Sequence, residues 1–169
     1  MMPERATPAD ADQLADLDRA CFDAAERWSA QLWLDELEAA DRLVIVQRDR
    51  DLMAAATFAL AFETVDLHRV LVRPSHRGLG LARQLVVAGA EWAGERGAEQ
   101  MMLEVRHDNT AALGLYAGLG FTTIDTRCNY YGAGADARVM QAALPLRAPG
   151  LAADQPAPSA ATSEGDSRG

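Results

Sequence analysis

Apolar residues recur along this chain with two periods, and the switches between them divide it into elements. Over residues 9–22, Leu14, Leu17, Cys21 and Phe22 make a helical stripe. A second helix is predicted from the N-cap Ser29 through Leu32, Trp33 and Leu37. Residues 43–47 and 53–60 read as two strands joined by the turn Arg48-Asp49-Arg50-Asp51, and residues 64–72, β-branched and partly alternating, as a third that ends at Pro74. Over residues 80–96, Leu81, Leu85, Ala88 and Trp92 hold one helical face, and Gly97 stops the helix. A short strand follows at 101–105. Asp108-Asn109-Thr110 then caps a helix that runs through Leu119 to Gly120, and residues 122–131 and 138–144 read as two closing strands. This order predicts an α/β fold with a mixed sheet of six or seven strands flanked by about four helices.

Composition narrows the chemistry. The chain has 169 residues, 49% of them hydrophobic, enough for one domain with a sizeable core. All 16 basic residues are Arg, against 25 Asp and Glu, for a net charge of -9. Without Lys there is no Schiff-base chemistry and no Walker-A phosphate lysine. The acidic balance speaks against nucleic-acid binding and suits a cationic or neutral partner. Residues 1–146 read as one domain, and residues 147–169, rich in Pro, Ala, Ser and Gly without apolar period, as a disordered tail. Cys21 and Cys128 form neither a disulfide framework nor a metal spacing, and His68, His76 and His107 share no ligand motif, so no metal is expected. No apolar run is long enough to span a bilayer and the start carries no signal-peptide pattern, which predicts a cytoplasmic protein with no membrane partner. The pattern says nothing about oligomeric state.

The most informative local feature is Arg77-Gly78-Leu79-Gly80-Leu81-Ala82, set between a strand and a long helix. Glycines there let backbone approach a ligand, and the free N–H groups of the first helical turn, at the positive end of the helix dipole, form an anion site. A dinucleotide fingerprint needs Gly where Arg83 stands, so the anion is a pyrophosphate held by backbone amides, with Arg77 and Arg83 as added charge. A glycine turn that merely caps a helix is the plainer alternative. Glu104, inside the apolar strand Met101-Met102-Leu103-Glu104-Val105, needs a partner or a wet opening; an outward-facing residue on a splayed or edge strand is the plainer alternative. Tyr116 lies two helical turns after Asn109 and shares its face, with core packing as the plainer alternative.

The run Arg77 to Ala82 resembles the coenzyme A pyrophosphate loop of the GCN5-related N-acetyltransferases (GNAT). The stretch Leu103-Glu104-Val105-Arg106, then Asn109, Ala112, Leu115-Tyr116 and Leu119-Gly120-Phe121, is similar to the RimI-type ribosomal-protein-alanine N-acetyltransferases in particular. So are Trp28-Ser29, Arg127-Cys128-Asn129-Tyr130-Tyr131 and Asp136-Ala137 with Met140. The chain departs from that pattern at Arg27, Cys128 and Gly132, and at Arg69-Val70-Leu71-Val72, where many members have N-I-A-V. The resemblance implies acetyl-CoA as co-substrate, held along Val70, Leu71 and Val72, by Arg77, Gly78, Leu79, Gly80, Leu81, Ala82 and Arg83, and by Asn109. It implies Glu104 as general base, Tyr116 as general acid, and an oxyanion donor near the Leu71 N–H. Trp28, Asn129, Tyr130 and Tyr131 would line a groove for the N-terminal segment of a ribosomal protein, whose N-terminal alanine would be acetylated without a covalent enzyme intermediate. A small-amine or lysine acetyltransferase and a non-catalytic acetyl-CoA-binding module are the alternatives.

Overall fold

The computed structural model describes residues 2–146; the predicted tail at 147–169 lies outside them. The chain runs β1 (Glu4–Arg5), α1 (Ala11–Cys21), α2 (Ala30–Glu38), β2 (Arg42–Arg48), β3 (Leu52–Ala61), β4 (Thr64–Val72), α3 (Leu81–Gly94), β5 (Gln100–Arg106), α4 (Thr110–Gly118), β6 (Thr122–Arg127) and β7 (Ala137–Ala143). These strands make one seven-stranded sheet in the order β1-β2-β3-β4-β5-β7-β6. All neighbours are antiparallel except β4 and β5, which are parallel and joined through α3. The mixed α/β sheet with four helices is therefore as the apolar pattern predicts.

Alternation within the strands sorts side chains into two layers. Leu43 and Ile45 of β2 join Phe58, Leu85, Met101, Leu103 and Tyr116 on the α3/α4 face. Val44 and Val46 join Leu14, Leu17, Trp33 and Leu71 on the α1/α2 face. Helix α3 lies so close to the sheet that a Cβ on Gly89 would stand 2.1 Å from the Phe58 ring, so only glycine fits there. Caps fall where the sequence places them: Ser29 Oγ accepts from Leu32 N–H at 3.1 Å, and Asn109 Oδ1 from Ala112 N–H at 3.2 Å.

Two differences matter for the site. The strand expected over 122–131 ends at Arg127, and residues 128–136 form a loop. Asn129, at φ 56°, closes it by donating its N–H to Asp136 Oδ1 (2.8 Å) and accepting Gly134 N–H on its own Oδ1 (2.7 Å). The second difference is in β4. Its register with β3 slips so that Thr57 faces Arg69 while Phe58 faces Leu67, leaving His68 as the extra residue of a bulge. The bulge inverts the alternation: Val65 and Leu67 before it, and Val70 and Val72 after it, pack on the same α3/α4 layer. The ladder between β4 and β5 runs only from Thr64↔Gln100 to Leu67↔Leu103, so both strands continue past it and diverge.

Candidate active site

The divergence of β4 and β5 opens two clefts that meet. The larger, about 610 Å³, runs beside β4 from Val70 to Val72, past Arg77, Gly78 and Gly80, to Arg83 at the start of α3, and is closed by Asn109 and Tyr116. The smaller, about 130 Å³, lies between the separated strands and is lined by Glu26, His68, Arg69, Glu104, Arg106 and Tyr131. Phe22, Val70, Asn109, Ala112 and Tyr116 line both.

The larger cleft is built from backbone. Gly78 (φ 81°) and Gly80 (φ 80°) both adopt the left-handed conformation, and a Cβ at either would meet nothing within 4 Å. Glycine is needed here for its dihedral freedom, not for space. Gly80 thereby becomes the N-cap of α3, and its first-turn N–H groups open onto the cleft. Arg77 is anchored by donating Nε to Val72 O at 3.2 Å, and Arg83 stands exposed at the rim. Leu79 sends its side chain to solvent, 64% exposed, and does not line the cleft; only its backbone is available there.

The phase of β4 decides which amides face the gap. Arg73 N–H donates to Met53 O at 2.8 Å, and Ala54 faces Val72. Alternation then turns the Leu71 amide and carbonyl toward β3, and those of Val70 and Val72 toward the opening. The Leu71 amide expected as oxyanion donor is thus turned to the sheet, and the Val70 and Val72 N–H groups face the opening. Val72 O already accepts from Arg77 Nε and from the Cys21 thiol at 3.3 Å. Burial pushes that thiol up, against the lowering effect of Arg77, which leaves Cys21 a wall residue and not a nucleophile.

Glu104 and Tyr116 converge on the smaller cleft. Glu104 Oε2 is buried without a hydrogen-bond partner, and Arg127 Nε stands 3.8 Å from it. The charge of Glu104 holds the Tyr130 phenol above its ordinary value, helped by partial burial and by the hydrogen bond that the phenol donates to Glu104. Burial, then the charge of Glu104, pushes Tyr131 up to about 12. Burial also raises Tyr116, which stays a protonated donor and whose ring packs edge-on against Phe121 at 5.6 Å. A phenol so raised lies well above a thiol near 8.5, so complete proton transfer to a thiolate runs uphill. Tyr116 is suited to hydrogen-bonding a departing sulfur.

Of the residues expected to form a peptide groove, Tyr131 lines the smaller cleft, with Arg106 over its ring at 5.6 Å. Tyr130 is half exposed beside it, in a T-shaped pair at 5.1 Å. Asn129 uses its Oδ1 to hold its own loop, and Asn109 uses its Oδ1 as a helix cap, keeping its amide N–H groups for the clefts it lines. Trp28 lines neither cleft. It stacks under Arg69 (4.5 Å) and against Trp33 (5.0 Å).

Sequence reasoning missed the group that shapes this wall. Asp18, fully buried in α1, accepts from Arg69 Nη1 (3.0 Å), Trp28 N–H (3.0 Å) and Trp33 Nε1 (3.3 Å). Arg69 lies between Phe22 (4.1 Å) and Trp28 and donates to Glu26 O at 2.7 Å. The signal was an Asp on the apolar face of α1, between Leu17 and Cys21, where a buried charge demands a partner.

The chain matches the acetyltransferase (GNAT) family over residues 11–121. It is 36% identical over 141 residues to the uncharacterized protein ML0378 of Mycobacterium leprae, covering 80% of this chain and 38% of that one, so it spans about two fifths of that relative's length. It is 32% identical over 141 residues to the N-alpha-acetyltransferase RimI of Mycobacterium tuberculosis, covering 80% of this chain and 87% of that one. The fold is shared with the ribosomal-protein-S18-alanine N-acetyltransferase of Escherichia coli, at TM-score 0.77 and 23% identity over 89% of this chain and 97% of that one.

Proposed function

The chain belongs to the acetyltransferase (GNAT) family, and from that premise we propose that it acetylates the free α-amine of a protein N-terminus, the N-terminal alanine of ribosomal small-subunit protein 18 being the first candidate. The observation that carries this reading is the junction of the two clefts at Tyr116, with Glu104 on the acceptor side and the glycine turn on the other. The cleft fits coenzyme A: left-handed Gly78 and Gly80, the first-turn amides of α3, Arg77 and Arg83 suit a pyrophosphate, and the β4 edge at Val70 and Val72 suits a pantetheine arm.

Acetyl-CoA, when bound, supplies an activated acetyl thioester. Glu104 takes the proton of the attacking amine, through a water. Val70 N–H, turned toward the opening, would donate to the carbonyl oxygen as it gains charge. Tyr116 donates a hydrogen bond to the departing sulfur. An α-amine has a pKa near 8 and a lysine amine one near 10.4, a gap of about 2.5 units or roughly 3.4 kcal/mol, so a modest base suffices for an N-terminus. The likeness to RimI of Mycobacterium tuberculosis supports the protein substrate.

A second reading, a small amine as acceptor, is favoured by the narrowness of the smaller cleft, about 130 Å³. One experiment separates them. The protein is incubated with acetyl-CoA and, in turn, a Lys-free peptide with a free N-terminal Ala, an N-blocked peptide with an internal Lys, and a polyamine, with products read by mass spectrometry. Acetylation of the first alone is expected. Acetylation of only the blocked peptide or the polyamine overturns the N-terminal reading, and labelling of none leaves a binding module.

A further inference from the structure

The β4 bulge does more than part the strands. It brings His68, which no part of the proposed mechanism uses, to the wall of the acceptor cleft, one residue past the last paired position, Leu67↔Leu103, as Glu104 is on β5. His68 Nδ1 lies 3.3 Å from Glu36 Oε1 on α2. A carboxylate there only accepts, so Nδ1 carries the hydrogen and Nε2 is left as the basic nitrogen. Glu36 is itself held on every side. Its Oε2 accepts from buried Thr57 Oγ1 at 2.6 Å and its Oε1 from Arg42 Nε at 3.3 Å. Burial pushes this carboxylate up, but the hydrogen bonds from His68 and Thr57 and the charges of His68 and Arg42 outweigh it and bring it down to about 2. Thr57, Glu36 and His68 thus form a hydroxyl–carboxylate–imidazole relay whose imidazole side chain is 30% exposed.

We propose that His68, oriented by Glu36, is a second proton acceptor of the acceptor cleft, taking on the proton that Glu104 removes from the attacking amine and releasing it to solvent. This rests on the acetyl-transfer reading above. The balance closes without an oxidant or reductant. The amine nitrogen forms its bond to the acyl carbon as the carbon–sulfur bond breaks; the sulfur leaves with the bonding pair as a thiolate, hydrogen-bonded by Tyr116, and the amine proton goes to the Glu104 carboxylate. Water carries the proton to His68 Nε2, Glu104 returns to its ionised form, and the imidazolium, with Nδ1–H on Glu36, gives a proton to bulk water. Glu104 needs such an outlet because its Oε2 is buried without a hydrogen bond, and its ion-pair neighbour Arg127, at 3.8 Å, is already a cation and cannot take the proton on. The charges facing His68 are otherwise closed into pairs: Arg42 with Glu36, Arg69 with Asp18, and Arg106 with Glu26, while Tyr116 and Tyr131 stay protonated, raised by burial.

The test compares wild type with His68→Gln, His68→Ala and Glu36→Gln, using whichever of the three acceptors above the wild type acetylates. Initial rates are followed against pH, with acetyl-CoA binding measured separately by calorimetry and folding by thermal melts. His68→Gln is expected to lower kcat about 10- to 100-fold, with acetyl-CoA affinity and acceptor KM near wild type, and to change the shape of the kcat profile on its acidic side. Imidazole added to His68→Ala is expected to restore rate in proportion to its free-base concentration. Glu36→Gln is expected to fall between wild type and His68→Gln. An unchanged kcat, or a loss that imidazole does not rescue and that leaves the pH profile in shape, overturns the proposal. Should a His68 variant not fold, Glu36→Gln decides by the same profile. A wild type active only on the blocked peptide or the polyamine sinks the N-terminal reading alone, whereas no transfer to any amine sinks both.

Discussion

The proposed mechanism gives Glu104 and Tyr116 opposite duties across one junction, and their surroundings bear on each differently. Glu104 has a buried oxygen that makes no hydrogen bond, with Arg127 3.8 Å away, an arrangement that costs stability and suits a group that is to take up a proton. Replacing it with Gln preserves shape and removes basicity. Glu104→Gln is expected to reduce kcat about 100-fold near neutral pH, with acetyl-CoA affinity unchanged. The deficit should shrink as pH passes about 8, because an α-amine is then neutral without help. A deficit of constant size across that range would remove Glu104 from the role. Tyr116 is almost fully buried and packs on Phe121, so its ring serves the core and only its hydroxyl is left for the junction. Tyr116→Phe is expected to slow transfer about tenfold or more while moving the melting temperature by less than about 4 °C, the equivalent of under 1 kcal/mol. If melting collapses instead, the residue is a packing element and nothing else.

Helix α2 shows what single elements contribute and how far each was legible beforehand. Its start is written in Ser29 and its apolar face in Trp33, but its attachment is not, because Glu36 binds Thr57 on β3, Arg42 on β2 and His68 on β4, all set by non-local pairing. The same holds for the bulge: the apolar phase break, Val65 and Leu67 followed by Val70 and Val72, is present in the sequence, yet only the register shows which face His68 and Arg69 take. The glycine turn was legible because left-handed backbone selects glycine directly. The two-residue β1 carries no period at all, and the Tyr-rich stretch after Arg127 imitates a strand by propensity while Asn129 and Gly134 close it as a loop. The attachment of α2 has a measurable consequence. The folded-state pKa of Glu36, about 2, is below its ordinary 4.5, so its stabilisation is complete above about pH 5 and is lost as pH falls toward 2. The most this can be worth is about 3 kcal/mol. Glu36→Gln should therefore melt lower than wild type at pH 7 and converge on it as pH falls from about 5 to about 2. Melting curves that stay parallel over that interval would mean that Glu36 does not hold α2 to the sheet.

At the scale of the molecule, charge and clefts pull in a common direction. The chain is lysine-free with a net charge of -9, and the 147–169 stretch, with two Arg against three acidic residues, accounts for only -1 of it. The remaining -8 belongs to the domain that carries the clefts, where Arg77 and Arg83 keep a local positive spot by the glycine turn. Among the described residues no helix is long and apolar enough to cross a membrane, and no three potential metal ligands gather. A field of this sign speeds encounter with a basic peptide and does nothing for a neutral one, since its reach is set by the Debye length. Raising salt from about 0.1 M to about 1 M shortens that length from roughly 10 Å to roughly 3 Å. For an N-terminal peptide bearing Arg in its first residues, kcat/KM is expected to fall several-fold over this range while kcat holds, because the field acts on approach and not on chemistry. For the same peptide with each Arg replaced by Gln, kcat/KM should change little. An equal loss for both peptides would place the salt effect at coenzyme A and its phosphates, and would show that the acidic surface does not select the acceptor.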